Sequence, residues 1–217
     1  MGEYAEDLAS GTMLPVGTVE FVREAMRIAE IIEPPNLTYP TALQPFLLRR
    51  VWRSRISELS SRRFVKSCST KAFTGFVLDL DNPDSMDIYD KEEHEALKRL
   101  DPSTEVWVSD PVKFLSEWRY YIQGGKVVGR GRYDSGPEEL LVPDMNVVQA
   151  AVVAYRSLQP YTLDFGVLVD GTTALVEVND AWAIGLYERA LSNGAYLRFL
   201  WERWSGIYGW CTMPPAP

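Results

Sequence analysis

Two carboxylates and an amide are the residues best placed to do chemistry. Asp164 sits in the run 161–168, and Glu177 and Asn179 sit in the run 173–180. Asp170-Gly171 between the runs is a strong hairpin signal. Counted out from that turn, Asp164 and Glu177 each lie six or seven positions away, so they become near cross-strand neighbours. Alternation puts Glu177 and Asn179 on one face of their strand. The flanking residues Leu163, Phe165, Val167, Leu175, Val176 and Val178 are apolar. Two carboxylates facing each other on core strands repel unless a cation lies between them. Two carboxylates and an amide oxygen are hard donors suited to Mg²⁺, which is commonly held by one or two carboxylates plus substrate phosphates. The competing reading is an edge hairpin with exposed acids, which the apolar flanks disfavour.

A second group is Glu117, Arg119, Arg130 and Arg132. Gly124-Gly125 reads as the turn between strands over 114–122 and 126–133. Arg119 and Arg130 then lie at similar distances from the turn and come near one another. Like charges opposite each other are unfavourable unless an anion bridges them, and a phosphate is such an anion. A solvated strand face with Glu117 paired to an arginine explains the same residues equally well. A third group is Lys66 at the end of the run 63–66, followed by the small-residue loop Ser67-Cys68-Ser69-Thr70-Lys71. Such a loop can gather cations and backbone N–H groups around phosphates. It lacks the P-loop spacing, and a plain hairpin with two surface lysines is the alternative.

Other chemistries have little to work with. The single histidine, His94, lies in the charged run DKEEHEALKRL, a solvated helix face. The two cysteines, Cys68 and Cys211, show no metal-ligand spacing, so a four-ligand zinc site is excluded.

The elements that must position these groups follow from periodicity. Residues 1–16 read as an extended leader, 17–33 as a helix ended by Pro34-Pro35, and 42–60 as a second helix with Phe46, Leu47, Val51 and Ile56 on its apolar face. Strands are expected at 63–66, 74–80, 105–109, 114–122 and 126–133. The acidic segment after residue 80 reads as a surface insertion. A helix over 144–157, the Asp164–Glu177 hairpin and a last helix to about Trp204 complete the chain, with a frayed tail. Mixed helices and mostly antiparallel hairpins argue for an α+β fold.

The chain has 217 residues, 46% hydrophobic and 24% charged, with seven tryptophans. This length suits one domain or two small lobes sharing a core. A net charge of −8, from 22 basic and 30 acidic side chains, favours solubility and argues against nucleic acid as a partner. The acidic start carries no signal core, and no apolar stretch reaches the ~18 residues a membrane span needs. A cytoplasmic protein with reduced thiols is expected.

Together the stretches PVGTVEFV, TYPTALQPFLLRRVW, FVKSCSTKAFTG, VWVSDPV, SEWRYYIQGGKVVGRGRYD and YTLDFGV through ALVEVNDAWAIGLY resemble the ATP-grasp superfamily. The resemblance is to its divergent clade, which includes the eukaryotic translation-initiation-factor assembly chaperone and bacterial and phage proteins of unknown substrate. It covers about residues 15–190. It implies an ATP-grasp fold of two small α+β lobes with mainly antiparallel sheets gripping ATP. Residues 1–60 would be an N-terminal leader and helical segment, 61–210 the catalytic region, and 211–217 the tail. Lys66 and Lys71 would contact the ATP phosphates. The segment Val106 to Asp110 would lie beside the adenine, with the Val108 backbone bonding the base and Asp110 taking the ribose hydroxyls. Arg119 and Arg130 would bind the γ-phosphate or the acylphosphate, and Asp164, Glu177 and Asn179 would hold Mg²⁺.

The leading expectation is a Mg²⁺-dependent, ATP-driven ligase that joins a carboxylate to an amine through an acylphosphate. The acid and the amine would be small molecules or peptide or protein groups. The alternative is an ATP-binding assembly factor without ligase turnover. The substrates and the oligomeric state have no signal in the sequence.

Overall fold

The structure is a computed structural model that describes residues 4–10, 12–69, 72–136 and 141–212, the last three by backbone alone. It divides into two compact units, residues 1–46 with 114–217, and residues 47–113. Lys71 and the tail from 213 lie outside the described residues.

The unit 47–113 is a four-stranded antiparallel sheet in the order β1-β4-β2-β3, with β1 Val51–Arg55, β2 Arg62–Ser67, β3 Phe76–Asp79 and β4 Glu105–Ser109. β1 corrects the helix expected over 42–60. A short 3-10 turn over Thr41–Phe46 contains Pro45, and Leu48 takes a left-handed φ of 49°, so no helix continues. The run Val51-Trp52-Arg53-Ser54-Arg55 then alternates across a strand edge, as β-branched and aromatic residues favour. The acidic segment expected as an irregular insertion forms a helix, Ile88–Lys98, which follows α1 Ala5–Ala9 and α2 Val19–Ile28 in chain order and is here α3. Asp87 caps it by accepting from Asp90 N at 2.8 Å. Val65, Phe76, Leu78, Leu97, Val106 and Val108 form the core of this unit.

In the other unit the leader is not wholly extended: α1 buries Leu8 among Val22, Met26, Trp182 and Trp204. The main sheet is antiparallel in the order β6-β5-β7-β8, with β5 Phe114–Gln123, β6 Lys126–Arg132, β7 Tyr161–Leu168 and β8 Thr173–Asp180. One face carries Trp118, Tyr120, Ile122, Leu163, Phe165, Val167, Leu175 and Val178, all buried. Helix α4, Met145–Tyr155, serves this face, with Tyr155 edge-on to Tyr161 at 4.9 Å. The opposite face carries Glu117, Arg119, Tyr121, Thr162, Asp164, Glu177 and Asn179. The last helix, α5, runs from Asn193 to Thr212, well past the expected end at Trp204. Among the described residues no helix is long and apolar enough to cross a membrane.

A register shift corrects the expected meeting of Arg119 and Arg130. Gln123 pairs with Lys126 and Ile122 with Val127, as a two-residue turn requires, but Tyr121 pairs with Gly129. Val128 is the extra residue of a bulge. Beyond it Arg119 faces Gly131 and Arg130 faces Tyr120, so the two arginines stand on opposite faces of the sheet. Arg130 instead lies over the Trp118 ring, 5.6 Å from its centroid.

Gly129 and Gly131 let residues 187–191 lie flat against β6. A Cβ on Gly129 would collide with the carbonyl oxygen of Ala190, and one on Gly131 would come within 2.8 Å of Tyr187 Cβ. Gly129→Ala should therefore cost about 1–3 kcal/mol in urea unfolding, the usual scale for overpacking. Gly185→Ala, where an added Cβ meets nothing within 4 Å, is the matched control and should stay near wild type.

Candidate functional site

Asp164 stands at the centre of the main sheet, with Arg119 opposite it on β5 and Glu177 opposite it on β8. The expected juxtaposition of Asp164 and Glu177 is therefore direct, and Asn179 shares their face. Asp164 is 1% exposed and Arg119 9%. Their contact is bidentate: Arg119 Nε donates to Asp164 Oδ1 at 2.8 Å and Nη2 to Oδ2 at 2.6 Å. Asn179 Nδ2 donates to the same Oδ2 at 3.3 Å. Burial works against the Arg119 charge, but the Asp164 carboxylate and its hydrogen bonds outweigh it. The guanidinium is thereby held above the ordinary arginine range.

Three tyrosines that the sequence reading passed over complete the site. Arg119 lies 5.7 Å from the Tyr133 ring centroid and 5.1 Å from that of Tyr187, and the two rings stack at 5.1 Å. Tyr133 donates its hydroxyl to Glu117 Oε2 at 2.8 Å. Burial, then the charges of Asp164 and Glu117, push that hydroxyl well above the ordinary tyrosine value, so it stays a donor. Tyr121 pins the loop that carries Tyr187: its hydroxyl donates to Gly185 O at 2.7 Å and accepts from Tyr187 N at 3.2 Å. Burial pushes the Tyr121 hydroxyl up to about 12. Tyr133 was legible in one respect. It continues the alternation Gly129, Gly131, Tyr133, once the bulge is known to put that series on the Arg119 face. The end of the hairpin is fixed by Asp134, which takes a bidentate bond from Arg132 and another from Glu117 N. The Arg132 bond holds the Asp134 carboxyl down to about 2.

The donor set can be tested against a metal. Among the described residues no group of three Asp, Glu, His or Cys could hold an ion by itself. What this face offers is two carboxylates, the Asn179 amide and the hydroxyl of Thr162, which is buried and has no hydrogen-bond partner. An incomplete, all-oxygen set fits Mg²⁺, which keeps several waters and takes phosphate oxygens as further ligands. It does not fit zinc.

In the unit 47–113, Lys66 stands opposite Trp107 on the face away from the core, and Arg53 lies over the same Trp107 ring at 4.8 Å. Val108 points into the core. β4 is an inner strand, paired with β1 and β2, and Asp110 N donates to Arg50 O at 3.3 Å. The backbone of Val106 to Ser109, expected to bond a base, is thus taken up by the sheet. His94 lies on α3 near the Phe76 ring, and burial lowers its pKa.

Removing the countercharge tests the ion pair. Asp164→Asn leaves a buried guanidinium without its anion, and should cost about 3 kcal/mol of stability in urea unfolding. A loss below about 1 kcal/mol would show a pair that solvent screens.

A family model described as an ATP-grasp domain, the second family of one clade of that superfamily, matches residues 46–198. No curated protein matches the chain. Among solved structures, the D-alanine-D-alanine ligase from Coxiella burnetii is 12% identical, with a TM-score of 0.53 over 91% of this chain and 69% of that one. The D-alanine–D-alanine ligase from Bacillus anthracis complexed with ATP is 14% identical, with a TM-score of 0.45 over 93% and 66%. The ATP-grasp ligase PsnB complexed with precursor peptide PsnA2 and AMPPNP is 15% identical, with a TM-score of 0.43 over 94% and 61%. The chain thus spans about three fifths of PsnB's length. The match over residues 46–198, with two antiparallel sheets in an α+β arrangement, shows that this chain belongs to that ATP-grasp domain family.

Proposed function

We propose that the chain binds ATP with Mg²⁺ and uses it to join a carboxylate to an amine. The observation that carries this reading is the buried centre of the main sheet. There, two carboxylates in direct register share one face with an amide and a fixed arginine. Asp164, Glu177 and Asn179 are the residues that would hold Mg²⁺. When bound, the ion neutralises charge on phosphate oxygens. Arg119 carries five N–H donors and gives two of them to Asp164, so the others are available to a phosphate. Lys66 and Lys71 add cations toward the phosphates, and Asp110 accepts from a ribose hydroxyl.

The reaction is balanced without a protein nucleophile. An oxygen of the substrate carboxylate attacks the γ-phosphorus, and ADP leaves. The amine then attacks the acyl carbon, and phosphate leaves. Positioning and charge stabilisation do most of this work. That suits a site whose fixed groups are carboxylates, an arginine and tyrosines. The acid and the amine, whether small molecules or groups on a peptide, are recognised outside the groups named here.

Calorimetry tests the nucleotide site. Wild type should bind ATP more tightly with Mg²⁺ than without it. Glu177→Ala and Glu177→Gln should lose that gain, roughly tenfold to hundredfold in affinity, the scale seen when metal sites are disturbed. Unchanged Mg²⁺-dependent binding in both variants would refute the metal assignment. With the site established, release of ADP that depends on an added acid and amine identifies the substrates.

A further inference from the structure

Arg119 covers Asp164 with a two-pronged contact, 2.8 Å to one carboxylate oxygen and 2.6 Å to the other. These are the oxygens that a cation between Asp164 and Glu177 would also need. Asp164 is 1% exposed, and an uncompensated charge at such a site is strongly destabilising. Some cation must therefore stay on this carboxylate whenever the protein is folded.

The guanidinium is held by more than its anion. It lies over the Tyr133 and Tyr187 rings at 5.7 and 5.1 Å. Ring faces attract a cation but do not neutralise it. Each ring has its own anchor that does not involve Asp164. Tyr133 is bonded to Glu117 at 2.8 Å, and the backbone of Tyr187 is bonded to the Tyr121 hydroxyl at 3.2 Å. The cation therefore keeps its place while its anionic partner can change.

We propose that Arg119 is the resident counter-ion of Asp164 before nucleotide binds, and that it exchanges Asp164 for a nucleotide phosphate when Mg²⁺ and nucleotide enter together. This rests on the metal reading given above. Two ion pairs swap partners in the exchange: Arg119 leaves Asp164 for a phosphate, and Asp164 takes up the divalent ion. No charge is left buried without a partner at either end. A divalent ion arriving alone must instead displace Arg119 and leave it facing only rings, so the free ion binds poorly. Nucleotide and metal then assist each other, each raising the affinity of the other by the same factor.

Mn²⁺ binding, read from the electron paramagnetic resonance signal of the free ion, tests this without any turnover. Wild type should bind Mn²⁺ weakly alone, and much more tightly with a non-hydrolysable ATP analogue. Arg119→Gln, checked for native structure by circular dichroism, should bind Mn²⁺ without nucleotide roughly tenfold or more tightly than wild type, the scale of one close, partly screened charge pair. Arg119→Lys, which keeps the charge, should stay close to wild type. Equal or weaker Mn²⁺ binding by folded Arg119→Gln overturns the proposal. If that variant does not fold, the ¹⁵N resonance of Arg119 Nε in wild type decides. It should shift with Mg²⁺ and the analogue together but not with Mg²⁺ alone, and a signal unmoved by both overturns the proposal. The underlying metal reading fails separately: it falls if wild type binds no Mn²⁺ even with the analogue. It stands if Glu177→Ala abolishes that binding, even where Arg119→Gln behaves like wild type.

Discussion

The buried pair of Arg119 and Asp164 is the interaction around which the main sheet is organised. A pair this deep adds little to stability, because desolvating two charges costs about as much as their attraction returns. Hydrophobic residues of similar volume would serve a sheet interior as well or better. The pair is tolerated because every part of it is matched. The carboxylate receives two guanidinium bonds and an amide, and the guanidinium rests against two fixed rings. A site that stays polar at this depth, against the preference of its neighbours for apolar packing, is a site arranged for binding rather than for holding the fold together.

How much of this was legible depended on how irregularities in the two hairpins combine. In the β7–β8 hairpin a simple count from Asp170-Gly171 puts Asp164 against Glu177, and the structure has that pair. The count succeeds by compensation. Close to the turn the pairs are Val167 with Thr173 and Phe165 with Leu175, one residue off the two-residue register, and the extra residue Val176 then restores it. In the β5–β6 hairpin the turn is regular, with Gln123 against Lys126, and the bulge at Val128 has nothing to cancel it. The same count therefore sent Arg130 to the wrong face. Bulges leave no fixed residue signature in the sequence. A reading by alternation is safe up to the first one and inverted beyond it.

Other parts were legible to different degrees for equally local reasons. The strands with strong alternation or long apolar runs were found where they occur. β1 was missed because Val51 and Ile56 also fit a helical stripe. What decided against the helix was backbone geometry, Pro45 and the left-handed Leu48, rather than side-chain pattern. The tyrosines around Arg119 were invisible for a further reason. They come from the end of β6, from β5 and from a loop after β8, and nothing in their spacing links them. Only the close approach allowed by Gly129 and Gly131 brings the loop to the sheet.

The two faces of the main sheet constrain one another. Because side chains alternate, a one-residue slip that moved Arg119 or Glu177 would also turn Leu163, Phe165 or Val178 out of the core. The core residues are fully buried, so the apolar face holds the polar face in register with far more area than the polar groups could supply themselves. The register changes lie between Phe114 and Ser116, between Tyr121 and Ile122, and between Asp164 and Phe165. All three occur on the strands that carry the cluster. They adjust the aim of the polar side chains while the apolar residues on either side keep their places. The precision of the site is thus borrowed from the hydrophobic packing behind it, and the bulges are where the two demands are reconciled.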